Sequence, residues 1–201
     1  MAQTSTTLSG ERTHKPDVTG TDIGFNATGS VYKITSTSTD LSGFSVRDLI
    51  TVSNSASNNS TFTVKEVTDA NNLVVEEIVT SEDPDGTTIV TLDHTGFVTD
   101  KVKGDGYYSQ PDGVHTVVYR VLNRQDSTDD FNGTVKMQGS LATDPTEDDY
   151  FDIADTTFTS DLSTKIASFN FTGNYVWVRA KIETTNGTSN GAMITSILYN
   201  N

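Results

Sequence analysis

Short runs in which polar and apolar residues alternate are the feature that most constrains the fold of this chain. Thr61–Lys65 alternates with a period of two, and Asn174–Ile182 does so along its whole length. Such a period is typical of strands that bury one face. Turn-forming residues at 69–72 and 83–86 separate strand-like runs, and no helical run of about ten residues lies between them. The sequence therefore predicts an all-β fold built from antiparallel sheets.

The strand-like runs fall into two modules separated by a linker. Residues 99–113 contain the Gly- and Pro-bearing turns that mark a boundary, so we predict one module at 23–98 and a second at 114–201. Residues 1–22 carry only two sizeable apolar side chains, which is too little to offset an ordering entropy of about 1–2 kcal/mol per residue. We therefore expect an extended N-terminal arm that is mobile in isolation and becomes ordered against a neighbouring subunit.

The charge balance restricts the partners of the chain. It has 13 basic and 27 acidic residues among 201, a formal net charge of −14. A negative surface repels phosphate backbones and anionic membranes, so we expect neither nucleic acid nor membrane as a partner. No apolar stretch approaches the ~18–20 residues of a membrane helix. Residues 1–7 also lack the basic and apolar regions of a signal peptide, so we expect none.

The residues that carry most enzymatic chemistry are missing or badly placed. Cysteine is absent, which excludes thiolate nucleophiles, and no Gly-x-Ser-x-Gly turn presents a serine to a histidine. We expect the three histidines, His14, His94 and His115, to be exposed or at strand edges. Most carboxylates lie in polar loops, where water keeps their pKa values ordinary, and no phosphate-binding glycine loop exists. We therefore predict a protein that is not an enzyme and holds no cofactor.

Two acid-rich loops raise calcium as a rival interpretation, because carboxylate oxygens are the ligands that this cation prefers. The candidate ligands are Asp126, Asp129, Asp130, Asp144 and Asp148. Neither loop has the spacing of an EF-hand, and acid-rich loops on an acidic chain are usually solvated. We therefore expect no bound metal at these residues.

The alternating run at 174–182 predicts one buried and one outward face. The first holds Val176, Val178, Ala180 and Ile182, which suit the interior of a β-sandwich. The second holds Tyr175, Trp177, Arg179 and Lys181, a strip without acid on an acidic protein. Aromatic residues and Arg are enriched in interface centres, and a basic strip favours an acidic partner. We therefore predict a homo-oligomeric interface on this face, with Trp177 as its anchor.

Aromatic side chains also allow a second interpretation. Tyr107 and Tyr108, or the face with Tyr175 and Trp177, could form a platform on which sugar rings stack. The interface interpretation is favoured, because aromatics are equally enriched where subunits meet. Replacing Trp177 separates the two hypotheses, since it would abolish either oligomer formation or glycan binding.

Two parts of the chain resemble virion structural proteins of tailed bacteriophages. Leu41–Ser53 followed by Asn58–Val64 is similar to a small β-barrel module with the pattern F-x-V-G-D-x-I-x-V-x-G-S, then N-x-G-x-F-x-V. This chain has Arg47 and Ser60 where that pattern has glycine. The second part resembles the β-sandwich domains of phage structural proteins, through the segments Gly139–Pro145, Gly173–Ala180 and Ile194–Asn201.

The resemblance implies a β-barrel-like module at 23–98 and a β-sandwich at 114–201. It also implies a non-enzymatic virion protein, assembled in the host cytoplasm, of the capsid decoration (cement) or other exterior accessory type. Such a protein would bind a major capsid or tail protein through its arm and a subunit interface. The alternative is a carbohydrate-binding or adhesin module, such as a tail-fibre component, with or without calcium.

Overall fold

The computed structural model describes residues 5–110, 113–122, 130–184 and 192–201. In these residues the chain forms seventeen strands and two short 3-10 turns, and all strand pairs are antiparallel. The predicted all-β class is confirmed. Within the described ranges, no helix has the length and apolar character needed to span a membrane.

The chain divides into two compact units, which we call the central unit and the terminal unit. The central unit is Lys15–Phe97, and the terminal unit combines Met1–His14 with Val98–Asn201. The expected boundary at residue 23 therefore differs from the observed one at Lys15. The cause is a short strand at Val18–Gly20, whose backbone pairs with residues 90–92 of the central unit.

The central unit is built on one antiparallel sheet. Its strands are β3 (Val18–Gly20), β4 (Gly24–Thr28), β5 (Val31–Thr35), β6 (Asp48–Ser53), β7 (Thr61–Asp69), β8 (Asn72–Val75) and β9 (Val90–Val98). They are ordered β3-β9-β6-β7-β8-β5-β4. The alternation at Thr61–Lys65 places Phe62 and Val64 in the core. The two outer strands of this sheet, β3 and β4, are not paired with each other among the described residues. Closure of the sheet into a barrel therefore stays a prediction.

The terminal unit contains two open antiparallel sheets that fit the expected β-sandwich. Its strands are β1 (Thr6–Ser9), β2 (Arg12–Thr13), β10 (Val102–Lys103), β11 (Val114–Val121), β12 (Gly133–Ser140), β13 (Phe151–Asp152), β14 (Phe158–Thr159), β15 (Ile166–Thr172), β16 (Trp177–Thr184) and β17 (Ala192–Asn200). One sheet has the order β1-β17-β11-β15, with β2 also on β17. The other contains β13-β12-β16, with β14 on β12 and β10 on β16. Val178, Ala180 and Ile182 are fully buried, as predicted. Val176, which was predicted to share their face, precedes β16 and is only half-buried.

The described part of the expected N-terminal arm is built into sheets. β1 pairs with β17, so that Thr6 lies opposite Tyr199, and β2 also pairs with β17. The prediction of a mobile arm is therefore wrong for these residues. The physical reason is that backbone hydrogen bonds can add a strand to a sheet edge without apolar side chains. The expected linker at 99–113 likewise contains β10 and a 3-10 turn, Asp105–Tyr108, while its residues 111–112 lie outside the described ranges.

Arg47 has a positive φ, in the left-handed region of backbone conformation that glycine adopts most easily. Its φ is 74°, and its N–H donates to the carbonyl of Val64 over 2.7 Å. A side chain with a Cβ pays roughly 1–2 kcal/mol in this left-handed region. The turn at Arg47 is therefore locally strained.

This strain predicts an order of stability for two variants. Arg47→Gly and Arg47→Ala both lose the 3.7 Å ion pair with Glu76, but only the alanine variant keeps a Cβ at positive φ. We expect the glycine variant to be more stable by about 1 kcal/mol, measured by urea unfolding. Lys33 lies inside β5 and serves as the control. There we expect Lys33→Gly to be less stable than Lys33→Ala, because glycine weakens an ordinary strand. Equal stability of the two Arg47 variants would show that the turn is not strained.

Candidate functional site

The most exposed group of large aromatic side chains surrounds the N-terminal end of β16. β10 pairs with β16 and places Lys103 directly opposite Trp177. The 3-10 turn at 105–108 follows β10 at once and brings Tyr107 against the indole ring of Trp177. We name Lys101, Lys103, Tyr107, Tyr108 and Trp177 the aromatic–lysine patch. The sequence suggested its three aromatic members, but not that Tyr107 and Trp177 are in contact.

The rings of the patch are arranged edge to face. The centroids of Tyr107 and Trp177 are 5.0 Å apart, and those of Tyr107 and Tyr108 are 5.2 Å apart. The indole N–H of Trp177 donates to the carbonyl of Thr143 over 3.0 Å. Tyr107 and Tyr108 are 42% and 55% exposed, so the patch combines fixed ring positions with an accessible surface.

Two ammonium groups lie over these rings. Lys103 Nζ is 4.1 Å from the ring centre of Tyr107, and Lys101 Nζ is 4.8 Å from that of Trp177. Such cation–π contacts contribute about 0.5–1 kcal/mol each at exposed sites. Lys101 also pairs with Asp144 over 3.2 Å. The patch thus combines aromatic rings with two lysines, of which Lys101 is paired with an acid, on a chain of net charge −14.

The other members of the predicted outward strip are engaged within the chain. Arg179 is 4% exposed, and its guanidinium donates two hydrogen bonds to Glu147, at 2.8 and 2.6 Å. It also lies 3.6 Å from the ring centre of Tyr150. Lys181 pairs with Glu183 at 2.9 Å. The expected acid-free strip is therefore wrong, because Glu147, from a distant segment, pairs with Arg179 and Glu183, on β16 itself, pairs with Lys181.

The calcium candidates are not gathered into one site where the structure describes them. Asp126 and Asp129 lie outside the described ranges, and Asp130 is buried. Asp144 pairs with Lys101, and Asp148 is exposed in the 3-10 turn Glu147–Asp149. Among the described residues, no three of these acids bring ligand atoms together in the manner of a metal site.

The three histidines are buried, which corrects the expectation that they are exposed or at strand edges. His115 packs against the rings of Phe171 and Tyr199, with its Nδ1 2.8 Å from the hydroxyl of Tyr199. His94 Nε2 lies 3.4 Å from Asp48, a buried carboxylate that the sequence pattern did not single out.

Asp48 is the centre of a buried polar network with Lys15, Ser45 and His94. Its Oδ2 accepts hydrogen bonds from Lys15 Nζ at 2.6 Å and from the Ser45 N–H at 2.7 Å. Burial raises the pKa of Asp48, but His94 and Lys15 stabilise the carboxylate, so the net shift is downward. Lys15 also donates to the Ser45 hydroxyl. The network thus joins Lys15, Ser45 and His94 through one buried carboxylate.

The carboxyl groups of Asp17 and Asp93 form a pair that makes the stability of the central unit depend on pH. Burial, together with a hydrogen bond to the carboxyl of Asp17, raises the pKa of Asp93 to about 6. The folded state therefore binds a proton more tightly than the unfolded state. The contribution of Asp93 to stability becomes less favourable as the pH rises from about 4 to above 6.

We expect Asp93→Asn to stabilise the central unit relative to the parent at pH 7.5 and to lose this advantage at pH 4. The pH-dependent gain should be on the order of 1 kcal/mol after solvent screening, measured by urea unfolding at both pH values. Asp85→Asn should instead destabilise the central unit, and more so at pH 7.5 than at pH 4. The reason is that hydrogen bonds from Thr88 and Thr87 lower the pKa of Asp85. An Asp93→Asn effect that is the same at both pH values would contradict the raised pKa.

No family model, no curated protein and no solved structure matches this chain.

Proposed function

We propose that this chain is a non-enzymatic virion structural protein of a tailed phage, of the capsid decoration or other exterior accessory type. The observation that carries its mode of action is the aromatic–lysine patch, which we propose is the contact with a second copy of the chain. The phage assignment is supported by the resemblance of the segments at 41–64 and 139–201. The proposed role is to be held in an assembly, with no reaction at the protein.

The composition of the patch supports a protein partner. Tyr and Trp are among the residue types that contribute most to binding free energy at protein–protein interfaces. The centres of such interfaces are also depleted in acidic residues. Trp177 is already held by the carbonyl of Thr143, so little rotamer entropy is lost when a partner covers it. The two lysines would attract an acidic surface, and each copy with its net charge of −14 provides such surface.

The same geometry argues against the patch as a sugar platform. A sugar ring stacks on an open aromatic face, whereas ammonium groups already lie over the rings of Tyr107 and Trp177. Displacing either lysine would sacrifice a cation–π contact before any sugar could bind. The patch therefore suits a partner that meets its lysines with carboxylates.

The test is the mass of the protein in solution, measured by sedimentation over a range of concentrations. We expect Trp177→Ala to weaken self-association by about 30- to 1000-fold, the cost of truncating a central interface aromatic. Lys103→Glu should also weaken it, whereas Lys165→Glu makes the same charge change at an exposed lysine away from the patch and should not.

Melting temperatures of these variants establish that the fold survives the change. A chain that stays monomeric at all concentrations, or an oligomer that tolerates both patch variants, would refute the proposed contact. The virion role is tested separately by locating the chain in purified phage particles by electron microscopy. Particles that lack the chain would refute that role.

A further inference from the structure

A second surface feature of the terminal unit lies apart from the aromatic–lysine patch. It is a cleft of about 350 Å³, which we name the Tyr175 cleft, and its main lining residues are Val114, Ile153, Asp155, Asn170, Phe171 and Tyr175. Such a volume is at the lower end of the range for small-molecule sites. It suits one small ring-shaped ligand.

One wall of the cleft is formed by Tyr175, whose aromatic ring is held in a fixed position. The ring of Tyr175 lies against two glycines, since a Cβ on Gly139 would come within 2.5 Å of it and one on Gly173 within 2.2 Å. Its hydroxyl donates to the carbonyl of Thr172 over 3.2 Å, and its ring centre is 6.2 Å from that of Phe171. The half-buried ring is thus prearranged as a flat apolar surface.

The rim of the cleft provides one acceptor and one donor group. Asp155 is exposed and holds a φ of 58°, a conformation that costs free energy for a residue with a Cβ and that is concentrated at ligand sites. The side-chain oxygen of Asn170 accepts a hydrogen bond from the Thr116 hydroxyl over 2.8 Å. This bond orients the amide so that its N–H groups remain as donors.

An aromatic wall with a carboxylate and an amide on the rim of the cleft matches the chemistry of a sugar. The apolar C–H face of a hexose packs on an aromatic ring, while its hydroxyls donate to a carboxylate and accept from an amide. Among the described residues that line the cleft, Asp155 has the one carboxylate, and no Lys or Arg is present. This charge favours a neutral sugar over an anionic one.

We propose that the Tyr175 cleft binds a neutral hexose, with the sugar ring on Tyr175 and its hydroxyls bonded to Asp155 and Asn170. This is a glycan-binding activity in addition to the proposed structural role, and it uses different residues. Shallow single-sugar sites bind weakly, so we expect dissociation constants in the millimolar range for free monosaccharides.

The experiment uses the full chain with free D-glucose, D-galactose and D-mannose, and measures binding by saturation-transfer NMR titration. At least one hexose should bind, and Asp155→Asn and Asn170→Ala should each weaken that binding by tenfold or more. Asn tolerates the left-handed conformation of residue 155, so this variant removes the negative charge and replaces one of the two acceptor oxygens by an N–H donor without new strain. Tyr175→Phe should bind as the parent does, because it keeps the ring.

Two controls locate the effect. Asp148→Ala removes another exposed carboxylate, and Trp177→Ala disrupts the aromatic–lysine patch; both should leave hexose binding unchanged while the melting temperature reports on folding. Failure of all three hexoses to bind would overturn the proposal. It would be overturned equally by a hexose whose affinity is unaffected by both Asp155→Asn and Asn170→Ala.

Discussion

Replacement of Asp48 by alanine is expected to lower the free energy of unfolding of the central unit by about 3–5 kcal/mol. The side chain of Asp48 is 1% exposed, and its carboxylate accepts from Lys15 and from the backbone N–H of Ser45. Removing the acceptor leaves a lysine charge and an N–H group in a poorly solvated site. The cost arises from these orphaned donors more than from the lost attraction.

The measurement is urea unfolding of the central unit, with Glu76→Ala as the matched control. Glu76 also pairs with a lysine at 2.9 Å, but both partners are partly exposed, so its removal should cost less than about 1 kcal/mol. Because the pKa of Asp48 is lowered in the folded state, its contribution is present above pH 3.8 and declines as the pH falls further. A loss below 1 kcal/mol for Asp48→Ala would show that the network is not stabilising.

The second large effect is expected at Arg179 in the terminal unit. Arg179→Ala removes a two-pronged contact with Glu147, a hydrogen bond to Gln138 at 3.0 Å and a stacked contact with Tyr150. Together these should cost about 2–4 kcal/mol of unfolding free energy. Arg179→Lys should recover only part of the loss, because an ammonium cannot reproduce the planar fork or the stacking.

The control is Lys181→Ala, two residues further along β16, where a single ion pair with Glu183 should contribute less than about 1 kcal/mol. Unfolding is followed by the melting temperature of the monomeric protein. An interface role for Arg179 would have a different signature, since its loss would change the association and leave the monomer's melting temperature unaltered.

Local alternation was sufficient to predict several of the longer strands and, for β7 and β16, apolar side chains that face the core. Phe62, Val64, Val178, Ala180 and Ile182 all occupy their predicted buried positions. The pairing of β1 with β17 was not predictable in this way, because it joins residues near opposite ends of the chain and depends on backbone groups that every residue carries. The same limit applies to the Asp48 network, whose members Lys15 and His94 are far from Asp48 in sequence.

The sequence by itself determined the all-β class, the approximate extent of the strands and the inward face of β16, because a period of two assigns each side chain to one of two faces. Only the tertiary structure decided which outward residues stay accessible. The turn with Tyr107 covers part of Trp177, Glu147 neutralises Arg179, and Tyr175 forms one wall of a cleft. These outcomes depend on segments that are distant in sequence, and alternation along one strand carries no information about what packs over its outer face.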